Sequence, residues 1–94
     1  MIPLELHTWY YSYVLRNIAN GRWYTGYTNN LRKRLRQHTN RQSTYTKYRG
    51  PYELIYYEAC RNKEDAQSRE KYLKSGMGKR YIHNRLKCFL TLTG

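Results

Sequence analysis

The first patterned run of the chain is Trp9 to Arg16 (WYYSYVLR), dense in aromatics and suited to a pleated, partly buried strand. On a strand, Trp9, Tyr11, Tyr13 and Leu15 share one face. Asn20-Gly21 then supplies the two-residue turn that best fits a tight hairpin, and Trp23 to Thr28 (WYTGYT) returns as a second strand. Thr28, Asn29 and Asn30 offer N-caps for a helix beginning near Leu31. Tyr45 to Pro51 is expected to be a polar, basic loop, because Gly50-Pro51 cannot sit inside a helix. Glu53 to Ala59 (ELIYYEA) is a third strand. Asn62 caps a second helix, with Glu64 and Asp65 in its first turn where they favour the positive end of the dipole; it should end near Gly76. Gly78 to about Leu90 suggests a final helix. The order β-β-α-β-α-α describes a small α/β domain on a mainly antiparallel sheet.

Composition changes the picture of the core. Leu, Ile, Val and Phe make up only 16 of 94 residues, and the formal net charge is +12, a combination typical of disordered chains. Twelve Tyr and two Trp argue for a fold instead, since each aromatic ring can bury ~150–250 Å². The length permits one domain with an aromatic-rich core. No stretch approaches the ~20 apolar residues of a membrane helix. Met1 to Thr8 lacks the pattern of a secretory signal, so a cytoplasmic protein is expected. Cys60 and Cys88 belong to no metal-binding pair, the three histidines are not spaced to complete one, and two reduced, packed thiols are expected.

Charge is uneven along the chain. Between Asn30 and Gly50 lie Arg32, Lys33, Arg34, Arg36, Arg41, Lys47 and Arg49 with no acid; Lys79, Arg80, Arg85 and Lys87 form a second cluster. A solvated surface usually mixes signs, so the unrelieved run points to a polyanion, most often nucleic acid.

Two helices carry side chains that a plain core does not explain. On the second, with Ala66 at 0°, Leu73 falls at about 340°, Met77 at about 20° and Glu70 at about 40°, inside the apolar stripe. A carboxylate there is either half of a buried ion pair or a metal ligand or catalytic group. On the first, Leu31 and Leu35 mark the buried face, with Arg34 and His38 one turn apart on its flank. Either Arg34 snorkels over apolar surface beside an interior histidine, or both grip a phosphate.

Tyr11-Ser12-Tyr13, then Tyr24-Thr25-Gly26, then Asn30-Leu31-x-x-Arg34-Leu35-x-x-His38 resembles the GIY-YIG nuclease domain. Ile55-Tyr56-Tyr57-Glu58, Arg69-Glu70 and Leu73-Lys74-Ser75-Gly76 are similar to its small single-domain bacterial members. The resemblance spans about residues 9–86 of a single domain, 1–94. It implies a three-stranded antiparallel sheet flanked by helices, and a DNA endonuclease dependent on a divalent metal, Mg²⁺ or Mn²⁺. The family's functional positions fall on Tyr13, Tyr24, Arg34, His38 and the metal-binding Glu70. The first motif's glycine and isoleucine are replaced by Tyr11 and Ser12 and the second motif's isoleucine by Thr25, and Tyr27 stands where many members carry a lysine that could activate the base. Asn84 is the one candidate for an asparagine that larger members carry near the domain's end.

The implied chemistry has Glu70 holding the metal, Arg34 stabilising the pentacovalent phosphorus, and a tyrosine, Tyr13 or Tyr24, orienting or deprotonating water. Core packing is the alternative for each tyrosine. DNA, with RNA as a further option, would lie along Arg32, Lys33, Arg36, Arg41, Lys47, Arg49, Lys74, Lys79 and Arg80. Recognition of structure rather than sequence is expected, in repair, recombination or processing, by a monomer or weak homodimer. The competing function is a non-catalytic DNA- or RNA-binding module on the same scaffold.

Overall fold

The computed structural model describes residues 8–39 and 51–93. Its elements are β1 (Tyr10–Asn17), β2 (Trp23–Thr28), α1 (Leu31–Thr39), β3 (Tyr52–Cys60), α2 (Lys63–Lys74), α3 (Gly76–Arg85) and α4 (Lys87–Thr93). Most of the expected Tyr45–Pro51 loop, together with Arg41, Lys47 and Arg49, lies outside the described residues. The sheet is antiparallel with order β2-β1-β3, so the most apolar strand is central. No described helix is long and apolar enough to cross a membrane.

Directly paired residues share a sheet face, so the register assigns the two layers. One face carries Tyr11, Tyr13 and Leu15, opposite Thr28, Gly26 and Tyr24 on one side and Ala59, Tyr57 and Leu54 on the other. The other face carries Ser12 and Val14, with Tyr27 and Thr25 across β2 and Glu58 and Tyr56 across β3. Helix α1 lies over the first face, where His38 meets Tyr13 and Tyr24. Helices α2 and α3 cover the second: Ser12 Oγ donates to the Ala66 carbonyl, Trp23 stacks on His83, and Tyr56 meets Tyr81. Burial of Tyr13, Val14, Leu15, Ala66, Leu73 and Ile82 forms the core from both layers. Trp9 precedes β1 and stays exposed under the Arg61 guanidinium instead of extending the buried face.

The hairpin is wider than a two-residue turn. Asn17 N–H donates to the Arg22 carbonyl, and the Gly21 N–H returns to the Asn17 carbonyl, closing a loop over 18–21. The Asn17 side-chain oxygen accepts from the Ala19 and Asn20 amides, which fixes this wider geometry. Gly21, at φ 75°, takes the left-handed position that the loop requires.

The order β-β-α-β-α-α holds, with the last helical segment divided at Leu86 into α3 and α4. Asn62 caps α2 as expected, accepting from the Glu64 and Asp65 amides. Ser75 closes α2 and opens α3: its N–H donates to the Tyr72 carbonyl and its Oγ accepts from Gly78 N–H. This break removes Met77 from the α2 stripe; it is 65% exposed, contrary to the helical projection. Both thiols are free, but Cys88 is exposed on the peripheral α4, so only Cys60 is partly packed.

Candidate active site

The centre of the site is a buried pair. Tyr13, 1% exposed, and His38, 4% exposed, approach within 3.0 Å through the phenol oxygen and Nε2. The two rings meet edge-on, and Tyr24 sets a second edge-on contact against His38 with centroids 5.3 Å apart. Tyr24 is less buried than Tyr13. Gly26 makes this possible, since a Cβ there would collide with the Tyr13 phenol. Gly26→Ala is therefore expected to cost ~1–3 kcal/mol through forced displacement of a packed ring. Thermal denaturation of the variant checks this, with an unchanged melting temperature contradicting the close approach.

Electrostatics tie three further residues to the pair. Burial raises the Tyr13 phenol well above its ordinary range; Tyr24 and Glu70 push the same way, while Arg34 opposes them. Burial lowers the His38 imidazole from its ordinary value, and the Arg34 charge lowers it further. Neutral imidazole facing a protonated phenol is thus the resting state, with the tyrosine donating when Nε2 is the bare nitrogen. The other four residues singled out from sequence all act on Tyr13 here, His38 by direct contact and Tyr24, Arg34 and Glu70 through their charges. His38 is more deeply buried than the half-buried Leu31 and Leu35 that were expected to define the inner face of α1.

Arg34 is half-buried and lines a small polar cavity with Thr28, Asn29, Asn30, Lys33 and Gln37. Thr28 and Asn30 build the start of α1: the Thr28 hydroxyl accepts from Asn30 N–H, and the Asn30 side chain accepts from Lys33 N–H. Arg32, Lys33 and Arg36 are exposed on α1. Lys79 and Arg80 are exposed on α3, in the opposite layer, and are not brought to the α1 cluster.

Glu70 is neither fully buried nor half of a buried pair. Its side chain is 24% exposed and bonds Lys74 at 3.1 Å, one helical turn on, where Lys74 is 57% exposed. No group of three or more His, Cys, Asp or Glu side chains occurs among the described residues, which does not suit a closed, zinc-type site. One partly accessible carboxylate, Glu70, does suit Mg²⁺ or Mn²⁺, hard ions that retain waters and share ligands with substrate phosphates.

Two features escaped the sequence. Ser12, which stands in place of a motif isoleucine, donates a buried 2.6 Å hydrogen bond to the Ala66 carbonyl, the helical acceptor for the Glu70 amide. Arg69 grips Glu58 through two hydrogen bonds and lies over the rings of Tyr72 and Tyr81. Both pin α2 to the sheet beside Glu70. A polar residue between two tyrosines of an otherwise apolar strand was the available signal for Ser12.

A three-stranded sheet thus brings Tyr13, Tyr24 and His38 into contact, with the charges of Arg34 and Glu70 felt at the Tyr13 phenol. The family model of the GIY-YIG catalytic domain matches residues 9–83, and the chain belongs to that family, which forms a nuclease superfamily. It is 48% identical over 65 residues to the UPF0213 protein CPE1444 of Clostridium perfringens, covering 68% of this chain and 69% of that one. It is 41% identical over 66 residues to the UPF0213 protein YazA of Bacillus subtilis, covering 69% and 66%. The solution NMR structure of the UPF0213 protein BH0048 from Bacillus halodurans superposes with a TM-score of 0.51 at 33% identity, covering 81% of this chain and 83% of that one.

Proposed function

We propose that the protein is a divalent-metal-dependent endonuclease that cleaves phosphodiester bonds in DNA, directed by structure rather than sequence. The observation that carries this reading is the neutral Tyr13–His38 pair under the joint influence of Arg34 and Glu70. Repair, recombination or processing of DNA in the cytoplasm, by a monomer or weak homodimer, is the setting this chemistry suits. The site divides into a rim and a floor. Tyr24, Arg34 and Glu70 are accessible enough to meet substrate, whereas Tyr13 and His38 lie beneath them.

In this mechanism Arg34 binds a non-bridging phosphate oxygen and gains strength as charge accumulates on the pentacovalent phosphorus. Tyr24 orients the attacking water. His38 is the member of the Tyr24–His38–Tyr13 cluster whose proton affinity lies closest to neutrality, and in the tautomer whose Nε2–H donates to the Tyr13 oxygen it takes the water's proton on Nδ1. Tyr13 acts through His38, holding its ring and its tautomer. Glu70 would hold Mg²⁺ or Mn²⁺, which supplies charge neutralisation at the phosphate and the leaving oxygen.

The pH dependence follows with a definite sign. The folded-state pKa of His38 lies below its unfolded value of about 6.5, so the folded protein binds fewer protons in the acid range. Its stability contribution is complete above about pH 6.5 and is lost as pH falls from there through the lowered folded value. Cleavage should likewise fall on an acid limb below about pH 6.5. Tyr13→Phe keeps the ring but deletes the hydrogen bond, and should move that limb while Tyr24→Phe lowers the rate at every pH. A cleavage rate flat from pH 5 to 8 would remove His38 from the mechanism.

A further inference from the structure

Beside the site, on the same sheet face, lies a cavity of about 440 Å³ that the nuclease mechanism does not use. Its walls include Tyr11, Tyr57, Leu54, Asn29, Asn30 and Arg32. Tyr11 and Tyr57 sit with centroids 6.1 Å apart and planes tilted by 59°, forming an aromatic corner. Tyr57 is 54% exposed, unusual for a ring on a covered sheet face, and Arg32 forms no ion pair among the described residues.

The position of the cavity narrows its occupant. Tyr57 is the direct cross-strand partner of Tyr13, and Tyr11 is two residues along β1 from Tyr13 on the same face, about 7 Å away. Asn29 and Asn30 form a wall shared with the smaller polar cavity that holds Lys33 and Arg34. One side of that wall thus offers aromatic and aliphatic surface with amides and a single cation, Arg32, and the other offers Lys33 and Arg34 in a polar lining. This is the division between a base and its phosphate. Stacking needs only a π-face, whereas the amides and Arg32 can bond base edges or backbone.

We propose that this cavity binds one unstacked nucleobase of a DNA strand, adjacent to the phosphate held at Arg34. The assignment rests on the nuclease reading and deepens it: the preferred substrate is single-stranded DNA, or a branch or end whose base is free to leave its stack. A base within an intact duplex cannot reach the Tyr11–Tyr57 corner without unpairing. Tyr11, standing where the family motif has glycine, is then a substrate contact and not merely a motif lost.

The test uses binding without cleavage. In metal-free buffer, fluorescence anisotropy compares a short single-stranded DNA with an abasic strand of equal length, which keeps every phosphate and removes every base. The wild-type chain should bind the base-bearing strand more tightly. Tyr57→Ala should weaken that binding about 5- to 150-fold, the range for loss of one aromatic stack, and leave the abasic strand unaffected. Tyr57→Phe should bind as the wild type does. Tyr57 is exposed enough that its truncation should leave the fold intact, and circular dichroism checks this; Tyr11→Ala, at a half-buried position, provides the second variant. Equal affinity of the wild type for both strands, or equal loss on both in Tyr57→Ala, would overturn the base pocket. An active nuclease with base-independent binding refutes the pocket alone, and base-dependent binding without any cleavage refutes the nuclease reading alone.

Discussion

Glu70→Gln is expected to abolish metal-dependent cleavage while leaving the folded protein and its DNA affinity in place. The substitution keeps shape and hydrogen-bonding capacity but removes the charge that a hard cation requires. Its structural cost should be small. The carboxylate's ion-pair partner, Lys74, is exposed, and exposed helical pairs contribute ~0–1 kcal/mol. Had Glu70 neutralised a buried cation, the same change would strand that charge and cost ~3–5 kcal/mol. Thermal denaturation therefore separates the two roles independently of cleavage. A variant that melts far below the wild type, and whose folded fraction still cuts DNA, would exclude Glu70 as the metal ligand.

Arg34→Ala should depress cleavage by at least ~100-fold, the scale for removing one preorganised donor to a developing oxyanion. Binding should change far less, because Arg32, Lys33 and Arg36 remain exposed on the same helix; the slope of log affinity against log salt should lessen by about one. The variant has a second signature. Arg34 is one of the two causes that lower the His38 imidazole, so its loss should move the acid limb of any residual activity upward towards pH 6.5. A purely structural arginine would change stability without moving that limb. Full activity in the variant would place the flank of α1 outside the chemistry.

Local chemistry made much of this molecule legible before its structure. The aromatic runs of β1 and β2 and the Asn62 cap are each specified by neighbours in sequence, and they fold as that specification requires. The helical projection also singled out Arg34, His38 and Glu70, and of these three the structure buries His38 while Arg34 and Glu70 stay partly exposed. The projection failed at Met77 because it assumes an unbroken helix, whereas Ser75 satisfies the end of α2 and the start of α3 at once. The hairpin was misjudged for a related reason: Asn17, not Asn20-Gly21 alone, sets the loop through its side-chain carbonyl.

What sequence could not supply is which elements meet. That the Tyr13 phenol reaches His38 depends on α1 covering one face of the sheet, and that Glu70 acts on Tyr13 depends on α2 being pinned by Ser12 and by Arg69 on Glu58. The Tyr11–Tyr57 corner arises only from pairing β1 with β3, strands separated by the first hairpin and helix. Charge runs likewise gave composition without placement, so the α1 and α3 cations fall in opposite layers of the fold.

The central claim is best tested by incubating the purified wild-type chain and Glu70→Gln, at matched purity, with single-stranded, branched and duplex DNA in Mg²⁺, Mn²⁺ or EDTA. Denaturing gels then resolve new ends. A metal-dependent nuclease should cut in Mg²⁺ or Mn²⁺, favour the single-stranded and branched substrates, and lose activity in EDTA and in the variant. Binding without cleavage of any substrate, or cleavage that persists equally in Glu70→Gln, would contradict the nuclease mechanism and leave the fold as a nucleic-acid-binding scaffold.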